Sequence, residues 1–148
     1  MFPGTRVAAI EHRGPPALEH DTAHKLIAWK IEQRLLDPEK HRHYGLHYTD
    51  PRSTPPPEHR VDFCPSIDAD VAPNPYGIIA SVMPAVRCAR ARDIGSRWNN
   101  QAAVYLLETW LPGSGETSGD YPLIFHYVNV GTNVPESEMI TDVYLSLK

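Results

Sequence analysis

The chain has 148 residues, one domain's worth, with 41% apolar and 22% charged side chains, the balance of a folded globular protein. Fourteen Lys and Arg against eighteen Asp and Glu give a net charge of −4, so direct nucleic-acid binding is disfavoured for want of a basic stripe. No apolar run approaches the roughly 20 residues of a membrane span, and Met-Phe-Pro-Gly-Thr-Arg lacks a signal peptide's apolar stretch; a cytoplasmic protein with no membrane partner is expected.

Small and β-branched residues over Arg6–His12 predict a first strand, which runs into the turn Arg13-Gly14-Pro15-Pro16. A helix follows from about Ala17 to Leu36. At about 100° per residue, Ala23, Ile27, Ala28, Ile31 and Leu35 form its apolar stripe, with Trp29 outside it. Strands are expected at Tyr44–Thr49 and Arg60–Ile67, joined by a proline-rich turn. Two more are expected at Gly77–Val82 and Ala85–Ala91. A second helix spans about Arg97 to Leu111, with Ala102, Ala103, Leu106, Leu107 and Trp110 as its stripe and Pro112-Gly-Ser-Gly115 as its stop. Ile124–Val130 and Thr141–Leu147 are the closing strands.

Cys64 and Cys88 have no Cys-x-x-Cys partner and read as reduced, half-buried thiols. His20 and His24, and His41 and His43, lack a third ligand at a recognisable spacing. No metal and no cofactor are expected.

The two halves repeat. Val7 and Val86, Arg13 and Arg92, and His47-Tyr48 and His126-Tyr127 recur at one constant interval; Glu58 and Glu138, and Asp62 and Asp142, recur after a one-residue insertion. The repeat implies an α+β fold. Two pseudo-symmetric β-α-β-β repeats, about 5–70 and 77–148, would form one mostly antiparallel sheet with two helices on one face and a cleft between them.

Val7-Ala-Ala-Ile-Glu-His-Arg-Gly-Pro15 resembles the opening of the GyrI-like family, also known as the effector-binding domain of AraC-type regulators. The likeness continues through Tyr44-Gly-Leu-His-Tyr-Thr-Asp-Pro51, Thr54-Pro55, Glu58 and Arg60-Val-Asp-Phe-Cys64. In the second half it takes in Pro84-Ala85, Trp110-Leu111-Pro112, Pro122, Tyr127, Asn129 and Thr141-Asp-Val-Tyr-Leu145. The resemblance implies a single domain over 1–148. It also implies ligand sensing, drug binding, DNA gyrase inhibition or hydrolysis of cyclopropane-containing toxins. With its first strand opening close to Met1, the chain is similar to free-standing members.

One position departs from the family pattern. Where the family's Phe-Glu-x-Tyr segment sets a glutamate on the cleft floor, this chain has Ile124-Phe125-His126-Tyr127, with Phe125 in the glutamate's place. Phenylalanine cannot transfer a proton and offers a cation only its ring face, which disfavours hydrolysis. No catalytic residue is expected.

Alternation puts Phe125 and Tyr127 on one face, and the repeat makes Leu46 and Tyr48 their counterparts on the cleft floor. Trp98, Tyr105 and Glu108 line a flank of the second helix, where Glu108 could replace the missing carboxylate; Trp29 is the matching aromatic of the first helix. The expected function is sensing or sequestration of an amphipathic or aromatic compound, cationic ones included. The alternatives are gyrase inhibition by protein contact and toxin hydrolysis. The partners expected are that small molecule and DNA gyrase or a transcriptional regulator.

Overall fold

β1 (Thr5–Arg13) alternates so that Ala8, Ile10 and His12 point to one face, while α1 (Glu19–Glu32) supplies the apolar side chains that cover it. In the computed structural model, residues 1–35, 41–50, 52–96, 100–129 and 134–148 are described. They form two units, Thr5–Met83 and Met1–Gly4 with Pro84–Lys148.

The first unit adds β2 (His43–His47), β3 (Arg60–Pro65) and β4 (Ile79–Met83), ordered β4-β1-β3-β2 and antiparallel throughout. The segment expected to open the second repeat is thus β4, paired with β1. Its exposed residues Ile79 and Val82 lie in a stretch, 71–86, without a charged side chain.

The second unit contains β5 (Cys88–Ile94), β6 (Leu123–Tyr127) and β7 (Ile140–Ser146), ordered β6-β7-β5 and again antiparallel. Phe2 bridges to Val86 in this unit, and its ring meets Tyr144 edge-on. The α+β class and the antiparallel pairing are as expected.

The first unit's core joins Ala8, Ile10, Val61, Phe63 and Ile78 to Leu26 and Trp29 of α1. Here the structure corrects the expected stripe. Ile27 and Ile31 are 46% and 57% exposed, and Trp29 is buried. The physical reason is size: an indole and a leucine remove more apolar area from water than a stripe diluted by Ala23 and Ala28.

The repeat interval is also corrected. Leu46 stands opposite Asp62 and His126 opposite Asp142, so β2 maps onto β6 one position further along than the matched His-Tyr pairs suggest. Two hydrogen bonds repeat at this longer interval: the N–H of Arg60 donates to Thr49 Oγ1, and that of Ile140 to Asn129 Oδ1. β1 maps onto β5 one position further again, since Gly14 donates to His59 O and Gly95 to Met139 O. Each of these glycines closes a strand at positive φ, 132° and 128°, a region costly for other residues.

Candidate functional site

The second helix is not regular. α2 (Gln101–Val104) runs into a π-helical turn, Tyr105–Trp110, and then into α3 (Leu111–Ser114). The wide turn is visible in one bond, from the Leu111 N–H to the Leu106 carbonyl five residues back. Pro112 accounts for it: it has no N–H for the Glu108 carbonyl, and its ring crowds that group. The chain therefore passes the expected stop at Pro112 and ends its helix at Gly115, at φ 75°. Such π turns are rare and are frequent at functional sites.

Ala102, Ala103 and Leu106 bury against Phe125, Val143 and Leu145, with Leu107, Trp110 and Tyr127 partly buried beside them. The stripe expected on this helix is the one found. The Phe125 and Tyr127 rings are 6.5 Å apart and tilted by 56°, a contact between the two aromatics of β6. Tyr105 is 49% exposed and Glu108 is exposed, so the π turn presents both to solvent. The second unit thus holds four of the expected residues: Tyr105, Glu108, Phe125 and Tyr127.

Trp29, Leu46 and Tyr48 are placed differently. Trp29 is part of the first unit's core. Leu46 and Tyr48 lie on the sheet face opposite Val61 and Phe63, because Leu46 pairs with Asp62 in the β2–β3 register. The structural counterparts of Phe125 and Tyr127 are Gly45 and His47. This corrects the expected matching of Leu46 and Tyr48, since a one-residue slip reverses every side chain on a strand. Trp98 lies outside the described residues.

On that other face, the Arg60 guanidinium sits 3.9 Å above the Tyr48 ring centroid and pairs with Glu11 and Asp62 at 3.1 Å. Burial, and then the Asp62 charge, push the Tyr48 hydroxyl up. Burial likewise raises the Asp62 carboxyl. This tyrosine is held in an ionic network of its own unit.

Sequence reasoning missed three polar contacts between helix and sheet. His12 accepts from Thr22 Oγ1 at 2.8 Å and donates to Pro15 O at 3.1 Å, fixing the start of α1. Asp93, its match in the second unit, accepts the Ala102 N–H at 3.0 Å and anchors α2. Lys30 meets His43. For the first pair the signal was strand alternation carried through to the end of β1 and β5.

Among the described residues no group of three His, Cys, Asp or Glu side chains is placed to hold a metal ion. No helix among them is long and apolar enough to cross a membrane.

An α+β repeat that shows solvent an aromatic and acidic helix turn, on a sheet with one buried and one half-buried aromatic, has the make-up of a binding domain. The chain belongs to the GyrI-like small molecule binding domain family, which matches it over residues 1–148. It is 33% identical to the probable transcriptional regulator YgiV of Escherichia coli strain K12, over 99% of this chain and 92% of that one. Its fold is similar to the C-terminal domain of EcmrR, with a TM-score of 0.77 at 16% identity over 99% and 93% of the two chains. The chain spans 55% of the EcmrR seen in a complex with DNA, where the TM-score is 0.76 at 16% identity. SAV2435 bound to tetraphenylphosphonium is similar in fold, with a TM-score of 0.59 at 10% identity over 99% of this chain and 90% of that one.

Proposed function

We propose that this protein binds a small amphipathic molecule with an aromatic body, as a sensing or sequestering domain that does not turn its ligand over. The observation that carries the reading is the π turn, which displays Tyr105 and Glu108 in the same unit as the Phe125–Tyr127 pair. Aromatic rings supply flat apolar contact, and Glu108 supplies a charge for a cationic ligand. The family and the lipophilic cation bound to SAV2435 favour such a ligand; the likeness to YgiV favours a role in transcriptional control, with a regulator as the downstream partner.

The test is a thermal-shift screen with lipophilic aromatic cations, neutral aromatics and lipophilic anions. A ligand at about 100 times its Kd stabilises the folded state by about 2.7 kcal/mol, a shift of several degrees. Tyr105→Ala is expected to abolish the shift without changing the Tm of the free protein, and Glu108→Gln to abolish it for cations only. Absence of any shift across all three groups would overturn the reading.

A further inference from the structure

The second unit holds two buried polar atoms that no described residue satisfies. Asp93 is 7% exposed; its Oδ1 accepts the Ala102 N–H, and its Oδ2 has no hydrogen-bond partner. Thr141, 3% exposed, has an equally unpartnered Oγ1. The two residues are direct cross-strand neighbours, since Asp93 pairs with Thr141 across β5 and β7. Thr141 in turn pairs with Tyr127 across β7 and β6. One row across three strands therefore carries a carboxylate, a hydroxyl and a phenol, on the face that holds Phe125 and Val143.

Leaving a buried polar atom unbonded forfeits its hydration with nothing in return, and native proteins rarely retain such atoms without a use for them. The first unit shows the same place without that cost. His12, matching Asp93, has partners on both ring nitrogens, and Val61, matching Thr141, has no polar side-chain atom. The polar pair belongs to the second unit alone. Burial raises the Asp93 carboxyl, against the pull of the Ala102 N–H. A cation brought to Oδ2 would offset that burial.

We propose that Asp93 Oδ2 and Thr141 Oγ1 form a subsite for the protonated primary amine of a small molecule whose aromatic body lies on the half-buried Tyr127. This rests on the small-molecule reading above and narrows its ligand class. An ammonium has three N–H donors, enough to satisfy both oxygens at once. A quaternary ammonium has none and can satisfy neither.

The subsite is tested by calorimetry on the whole protein with three matched probes: phenethylamine, its N-trimethylated analogue and phenethyl alcohol. Asp93→Asn keeps an acceptor for the Ala102 N–H, and Thr141→Val keeps the side chain's shape. The native protein is expected to prefer the primary amine by about tenfold or more, a preference lost in both variants. Thr141→Val is also expected to leave the Tm of the free protein unchanged or higher, since it removes an unsatisfied hydroxyl. Binding without amine preference, or a preference that survives in both variants, would overturn the subsite and leave the broader reading standing. A lowered Tm in Thr141→Val would overturn it too, by showing the hydroxyl already bonded. If none of the probes binds, the subsite falls, and the thermal-shift screen alone decides the broader reading.

Discussion

Lys30 and His43 meet inside the first unit: Lys30, only 8% exposed, donates from Nζ to His43 Nε2 at 2.5 Å. Burial holds the Lys30 ammonium below the usual lysine range. The unfolded chain, titrating near about 10.4, therefore binds this proton more tightly than the folded one does. The group costs stability at neutral pH, and the cost is relieved as pH rises from the lowered folded value towards about 10.4. Lys30→Met is expected to stabilise the protein by about 1 kcal/mol at pH 7, a Tm gain of about 2–4 °C. Urea titrations at pH 7 and pH 10 should show that gain shrinking at the higher pH. A loss of stability at pH 7 would contradict the account.

The rotation of α1 gives a second expectation. Trp29→Ala empties a buried site in the core and should cost about 3–5 kcal/mol. Ile31→Ala removes an exposed side chain and should stay within about 0.5 kcal/mol. Equal costs in denaturant unfolding would place the stripe where the sequence pattern had it.

Asp62 and Asp142 occupy matching places in the two units, yet they titrate in opposite directions. The Arg92 hydrogen bond, at 2.7 Å, holds the Asp142 carboxyl below the ordinary range, whereas burial raises that of Asp62. A lowered folded value means stability present above about pH 4 and lost as pH falls through it; a raised one works the other way. Asp142→Asn should therefore destabilise at pH 7, and less and less as pH falls below about 4. Asp62→Asn should cost less at pH 7, because the raised carboxyl already weakens the folded state there. Chemical denaturation of both variants at pH 3 and 7 separates the two cases.

The two thiols should differ as well. Cys64 is fully buried, not half-buried as expected, and burial pushes its thiol far up; Cys88 is half-buried. Ellman's reagent is expected to label one thiol per native chain, at Cys88, and the second only in urea. Labelling at equal rates in the native state would contradict this burial.

Much of this was legible in the residues. Strand–helix–strand–strand order, the stripe of the second helix and the antiparallel class follow from periodicity and turn residues. The repeat was visible too, but its true interval was not. His47-Tyr48 and His126-Tyr127 match as letters, while the pairing of Leu46 with Asp62 and His126 with Asp142 decides the register. One residue moved Leu46 and Tyr48 to the other face. The π turn escaped because Pro112 reads as a stop, and nothing local tells that its helix widens and continues. Asp93 escaped because Asp-Ile-Gly reads as a turn, and its burial depends on β7, far along the chain.

The edges of the two units differ in a way that reaches beyond ligand binding. β5 shows solvent Arg90 and Arg92, charges that repel a stray strand, whereas β4 shows Ile79 and Val82 within an uncharged run. Colloidal fate on heating or at high concentration is therefore expected to turn on one short segment, with intermolecular strand addition beginning at β4. A lysine at position 82 would act as a gatekeeper, prolonging clarity of a concentrated solution while leaving the melting point where it was.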